Sequence, residues 1–384
     1  MSDLASLGLV IVALSLGECA WWVRHGAVVL RAPWYFGRGR LTTLSSSVGN
    51  DRGAFAFMNP LPPFGRAYVI EPWPFSLSEE GVVNVRSFSF AHERRPAARP
   101  TVLAWDAVLK VGRDDATVVV NDAPFAVCAS RHHAEAARAV LQAMYEAKPK
   151  DRARVLDDLL EAHLDPDAVS ARARDHRSAS VSSLLAAFGL FVALFGAIPF
   201  EVAMRGLERW QWLVTLLYAW VALAAVSTWT VHRALYGKRA QRLGATRGER
   251  AGQLAMMLLA PYTALRATDK VGRNLLAGLH PVAAALALAD TGAGRDAVAR
   301  ALRDLQTPRP LVLDDDARAL EAEFRARLFK VAKKKAEGRG VALASLAEAP
   351  TLRAGQLAWC PRCRTPYRQA SGSCPDCQVA LTTA

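Results

Sequence analysis

The chain has 384 residues, room for two or three domains, and combines 52% apolar residues with a formal net charge of +13. Four of its six cysteines fall in the last 25 residues at metal-ligand spacing, which excludes the disulfide framework of a small secreted protein. The basic balance favours anionic lipid headgroups or nucleic acid as partners and leaves the fold open.

The first 23 residues contain an apolar run, Leu4 to Val23, broken once by Glu18. A cleaved signal peptide needs a basic start, and Asp3 is the only charge ahead of this run. Acylation at Cys19 would need a small residue before it, where Glu18 stands. The run therefore predicts a membrane anchor with Trp21 and Trp22 at the interface. Residues 24–76 follow as a lead-in, and the Pro- and Gly-rich stretch from 59 to 74 leads into a β region.

Within 77–148 the stretches Gly81 to Phe90, Thr101 to Val111, Ala116 to Asn121 and Pro124 to Ser130 alternate or are β-branched. Arg113-Asp114-Asp115 and Asn121-Asp122 supply turn chemistry, so an antiparallel meander is expected. Ser130 is placed to cap a helix from Arg131 to Glu146, with Ala134, Ala137, Val140, Leu141 and Met144 on its apolar face. The strands, the Trp-Asp-x-Val step at Trp105 to Val108 and the closing helix resemble the bacterial pleckstrin-homology-like domain. That resemblance implies a small curved sheet capped by a helix, which binds lipid headgroups or protein segments and carries no catalytic residues. Arg94, Arg95 and Arg99, in the loop from His92 to Arg99, could then meet anionic lipid phosphate, or form a solvated hairpin tip. His133-Ala-Glu135 is half of a zinc-deaminase signature, but the Cys pairs far downstream lack the preceding proline, and surface residues of a first helical turn are expected instead. Cys128 reads as a small core residue in a strand.

Residues 149–180 read as a helical linker with Val155, Leu156, Leu159, Leu160 and Leu164 apolar. The region 181–231 holds two uncharged runs, Val181 to Phe200 and Trp210 to Val231, each near the roughly 20 residues that a helix needs to cross a bilayer. A helix satisfies its own backbone groups in hydrocarbon, so these predict a transmembrane hairpin. Ala186, Gly189, Ala193 and Gly196 form a small-residue stripe for helix packing, and Trp210 and Trp212 mark an interface. Neither run contains an ionisable residue, which argues against an ion-coupled carrier. Arginines follow the first run, precede the second and follow the third. The positive-inside rule then gives three spans in the cell inner (plasma) membrane, the N-terminus outside and most of the chain, with its C-terminus, cytoplasmic.

Region 232–310 has two apolar patches, Leu254 to Leu265 and Leu275 to Ala289, read as amphipathic helices in the cytoplasm or on the membrane surface. Gly292-Ala-Gly294-Arg-Asp-Ala297 matches a dinucleotide fingerprint in residue types, but the fingerprint requires a preceding strand where the sequence reads as helix, and a helix-to-helix turn is expected. In 311–358, Asp314 to Asp316 open a helix to about Glu337 whose stripe is Leu320, Phe324, Leu328 and Val331. Its basic end, Lys333 to Lys335, could face anionic lipid, nucleic acid or solvent.

Residues 359–384 carry Cys360-Pro-Arg-Cys363 and Cys374-Pro-Asp-Cys377. Two such knuckles supply four thiolates to one tetrahedral ion, so Cys360, Cys363, Cys374 and Cys377 predict a zinc ribbon whose Zn²⁺ is structural, with iron in a rubredoxin-like site as the alternative. The expected fold class is an α+β membrane protein with three transmembrane helices, a small antiparallel β domain, a helical region and a terminal ribbon. Its expected role is a non-enzymatic, membrane-tethered adaptor for protein partners. The alternatives are a membrane-tethered nucleic-acid binder and an enzyme whose site is not legible in sequence.

Overall fold

The computed structural model describes residues 3–17, 20–23, 27–33, 42–46, 54–57, 65–84, 102–208, 210–242, 255–290, 292–306, 314–341, 352, 354–361, 365–375 and 379–383. The fold is α+β, with small antiparallel sheets and two helices long and apolar enough to cross a membrane.

The chain opens with α1 (Asp3–Gly17), and β1 (Ala20–Val23) pairs antiparallel with β4 (Ala54–Phe57). Between them β2 (Val28–Pro33) and β3 (Thr42–Ser46) form a second sheet with β5 (Gly65–Ile70), in which β2 is central. The helical span expected from Leu4 to Val23 is corrected here. The helix stops at Gly17, and Trp21 and Trp22 lie in a strand. Fifteen residues rise only about 22 Å, short of a full crossing. Bulky aromatic residues suit a paired strand, and Ala54 to Phe57 supplies the partner backbone.

The next six strands build two three-stranded antiparallel sheets. The first holds β6 (Ser76–Leu77), β7 (Gly81–Val83) and β8 (Val102–Ala104), and the second is a meander of β9 (Val111–Asp114), β10 (Thr117–Val120) and β11 (Ala123–Val127). The long strand expected from Thr101 to Val111 is broken by a 3₁₀ turn at Trp105–Ala107. Trp105 is buried there and donates its indole N–H to the Ser78 carbonyl at 2.9 Å, which bends the chain between the sheets. Asn121 and Asp122 both have positive φ, the requirement of a tight two-residue hairpin turn. The Asn121 side chain accepts from the Leu109 amide and donates to the Ala107 carbonyl, fixing the turn against the approach to β9.

Helix α2 (Arg131–Glu146) is capped by Ser130, whose hydroxyl accepts from the His133 amide, and its five expected apolar residues are all buried. His133 is buried as well and bonds Ser130 through Nδ1 at 2.9 Å, while His132 packs on Tyr236. The expectation that this first turn faces solvent fails, because the end of a later helix covers it. Cys128 is buried just after β11. Helices α3 (Arg152–His163) and α4 (Pro166–Ala179) follow, with Leu156, Leu160 and Leu164 in the core.

Helix α5 (Val181–Val192) passes through a π-helical turn at Ala193–Ala197 into α6 (Ile198–Arg205). Pro199 explains the wide turn: it offers no N–H, and its ring would strike the carbonyl four residues back in a regular helix. Gly206, at φ +68, reverses the chain where side chains are strained. Helix α7 (Trp210–Arg242) returns and packs along α5. Of the small-residue stripe, Ala186 and Ala193 are buried and Gly189 meets Trp220, whereas a Cβ at Gly196 would stand in open space. A Cβ on Gly189 would lie 2.4 Å from the Trp220 ring, so the glycine is what admits the indole.

Beyond α7 come α8 (255–259), α9 (Pro261–Ala264), α10 (Ala267–Gly272), α11 (Pro281–Ala287), α12 (Gly292–Gln306) and α13 (Asp315–Gly338). The amphipathic reading of 275–289 is corrected. Every residue from Pro281 to Leu286 is buried, so α11 is a core helix, enclosed by α4, α12 and α13. Gly294, in the first turn of α12, lies against the Leu288 carbonyl, where a Cβ has no space. Asp314 caps α13 by accepting from the Ala317 amide, and Leu320, Phe324 and Leu328 are buried.

The cores join segments from both sides of the helical hairpin. One packs β6 to α3 against α11, α12 and α13. A second gathers Leu30, Tyr68 and Ile70, α4, the end of α7, and residues of α10 and α11. A third packs α5 and α7 with Met257, Ala264 and Leu265. The tail closes with a small sheet of β12 (Ala358–Trp359) between β13 (Pro366–Tyr367) and β14 (Thr382–Thr383).

Candidate metal centre and charged junction

The two knuckles share one backbone pattern. The Cys360 amide donates to the Thr365 carbonyl at 3.0 Å, and the Cys374 amide donates to the Val379 carbonyl at 2.8 Å. In each case the first cysteine of the pair bonds a residue five positions on. Cys360 and Cys374 are both buried, in one cluster with Tyr367, Val379 and Leu381. The Tyr367 hydroxyl lies 3.1 Å from the Cys374 sulfur and can donate to it, a bond that would steady a thiolate ligand. Cys363 and Cys377 lie outside the described residues, and among the described residues no group of three metal-ligating side chains occurs. The two described sulfurs, buried in one cluster, are half of the donor set that a tetrahedral thiolate site needs. Arg94, Arg95 and Arg99 also lie outside the described residues.

A second arrangement was not singled out from sequence. It sits where the apolar helices α5 and α7 meet the rest of the molecule. Arg66, at 3% exposure, donates through Nε to the Ser180 hydroxyl at 2.7 Å and through Nη2 to the Arg177 carbonyl at 3.3 Å. Arg266 and Asp269, 1% and 3% exposed, form an ion pair at 3.2 Å one turn apart. The Tyr68 hydroxyl lies 3.1 Å from His176 Nδ1, with the rings edge to face. Above them, the Ser183 hydroxyl reaches Thr228 at 3.2 Å and Thr268 at 3.4 Å, tying α5, α7 and α10 together.

Burial dominates the electrostatics. The Asp269 carboxyl is pushed up to about 6 by loss of water, against the pull of Arg266 and Arg66. His176 is pushed down to about 3, first by burial and then by the Arg66 charge. Burial also lowers Arg66 and raises the Tyr68 hydroxyl. Nearby, His163 stacks on Trp73 at 3.7 Å, donates through Nδ1 to the Gly278 carbonyl, and falls to about 3, again by burial. No family model, curated protein or solved structure matches the chain.

Arg66, Arg177 and Arg266 surround Asp269 here, and the hydrogen bonds run from β5 to α4, to Ser180 between α4 and α5, and to α10. The sequence signal was there in part: Arg266 and Asp269 stand three apart, the spacing of a helical ion pair. Nothing in the local pattern said that Arg66 would meet them from 200 positions upstream.

The basic end of α13 is engaged. Lys334 and Lys335 pair with Glu161 at 3.2 and 2.9 Å, and Arg339 pairs with Asp167. Arg327 reaches Glu79, Asp157 and Glu323.

Proposed function

We propose that this protein is a non-enzymatic adaptor, tethered by a transmembrane hairpin of α5 to α7, that presents a zinc ribbon and a β body to protein partners on one side of the membrane. The observation that carries the reading is the continuity of hairpin and body. Helix α7 runs unbroken for 33 residues from the apolar hairpin into the body, where the Tyr236 hydroxyl donates to the Val271 carbonyl at 2.6 Å. The junction around Arg66 holds the other arm. A partner bound to the body is thereby held at a fixed place relative to the bilayer.

The membrane assignment is supported by exposure. The apolar stretches cover 25 and 28 residues, and a third of the most apolar window in each is buried, too little for core helices of a soluble protein. Trp210 and Trp212 are exposed beside the Gly206 turn, where an interface would hold them. With arginines at the body-side ends, the positive-inside rule makes the body cytoplasmic, at the inner membrane. Two antiparallel sheets followed by α2 are compatible with a pleckstrin-homology-like unit. The ribbon takes Zn²⁺, or iron as the alternative, through Cys360, Cys363, Cys374 and Cys377, and with four protein ligands the ion is structural.

The nucleic-acid alternative is disfavoured by α13, whose basic end is paired with the acids of α3 and α4. Crosslinking in native membranes followed by purification of the full chain tests the adaptor. A specific protein partner is expected on the wild type and lost from the Cys360→Ser, Cys374→Ser double variant. Recovery of nucleic acid instead, released by salt, would move the assignment to the alternative.

A further inference from the structure

Apolar surface at the hairpin is not confined to the hairpin. Residues 255–265 contain no charge, and three of them, Met257, Ala264 and Leu265, pack on Leu190, Val221 and Ala225. Ser183 and Thr228 touch each other, which sets a common level for the two arms. Leu190 and Val221 each stand seven positions further from the body, about 10 Å beyond that level along a helix. The 255–265 segment therefore climbs beside the hairpin, well past its polar end. Its outward side chains are bare: Met256 and Leu258 are exposed, and Leu259 is 78% exposed.

The first polar residues after it fall back to the hairpin's end. Thr268 is within reach of Ser183, and the Arg266–Asp269 pair is buried beside it. Helix α1 packs against α9 and has no charge after Asp3, while Leu9, Val10, Val12, Leu14 and Leu16 are all exposed. So many bare large residues, continuous with the lipid-facing sides of α5 and α7, exceed what a water-facing surface carries.

We infer that α1 and the segment 255–265 lie inside the body-side leaflet as a collar around the hairpin, with their exposed faces covered by phospholipid acyl chains. The inference rests on the hairpin spanning the membrane, and adds two elements that do not span. Neither element is long enough to cross: α1 rises about 22 Å, and α8 with α9 less, against a core of about 30 Å. The backbone of such a re-entrant piece is tolerable because the hairpin covers one side of it.

Carbene labelling from within the bilayer tests this on the full-length wild-type chain. The protein is reconstituted in phosphatidylcholine–phosphatidylglycerol vesicles with a hydrophobic aryl diazirine, photolysed and mapped by peptide mass spectrometry. Peptides containing Leu259, and Val12 to Leu16 of α1, are expected to label as strongly as the α5 peptide with Leu185, and several-fold above the peptide with Leu109, which is exposed on the body. Labelled hairpin peptides with either collar peptide at the Leu109 level would overturn the collar and leave the hairpin standing. Background labelling of the hairpin as well would remove both. A face covered by a second copy gives the first of these outcomes together with crosslinked dimers of a Leu259→Cys variant, and equally sinks the inference.

Discussion

Replacing Gly189 by alanine probes the contact that holds the two apolar helices together. The added Cβ would stand 2.4 Å from the Trp220 ring, with two further ring atoms at 2.6 Å. The indole is large and rigid, so either it leaves its rotamer or α5 and α7 separate. Overpacking of this kind costs about 1–3 kcal/mol. Alanine also favours the helix by up to about 1 kcal/mol over glycine, a gain that emerges only when the clash is gone. With Trp220→Ala as the second arm of a cycle, Gly189→Ala is expected to destabilise the wild type and to be neutral or stabilising in the truncated background. The coupling energy is about 2 kcal/mol. Equilibrium unfolding of the full chain by steric trapping in bicelles reads all four states. Equal costs in both backgrounds, within about 0.5 kcal/mol, would refute the claim that the glycine exists to admit the indole.

Three other outcomes are expected. Buried His163 and His176 both have lowered values near 3, so the unfolded chain binds more protons between that pH and about 6.5, and each makes stability rise with pH there. Asp269, raised from 3.8 to about 6, acts with the opposite sign, since the folded chain holds its proton longer. Asp269→Asn should therefore steepen the rise of stability between pH 4 and 6 by about 1.4 kcal/mol per unit, whatever it does to the midpoint; an unchanged slope in denaturant titrations counts against the buried carboxyl. Purified full-length protein should carry one zinc or iron ion by elemental analysis and lose it in Cys374→Ser, and substoichiometric metal under reducing conditions rejects the ribbon site. Ser130→Ala should cost about 1 kcal/mol, and Ser130→Thr much less, because the lost bond is the cap of α2; equal costs would assign the effect elsewhere.

The local rules carried far in this chain. Ser130 and Asp314 have the side-chain oxygens that cap helices, and both cap one. Asn121-Asp122 has the chemistry of a left-handed turn and forms it. Local rules failed where packing partners came from afar. Trp21 and Trp22 are as good in a strand as at a membrane interface, and only the pairing with Ala54 to Phe57 chose the strand. The patch Leu275 to Ala289, too short to span and interrupted by Pro281, reads as an amphipathic helix, yet Pro281 to Leu286 are all buried among α4, α12 and α13.

What the amino-acid order determined by itself is whatever depends on neighbours within a few positions: two long apolar helices, the caps and the meander turns. Backbone hydrogen bonding and side-chain periodicity are short-ranged, so they are written locally. The tertiary structure alone decided that segments before and after the hairpin share a core, and that Arg66 meets Asp269 beneath it. Burial is a property of the whole packed chain, and it is burial that moves the Asp269 and His176 protons away from their ordinary range.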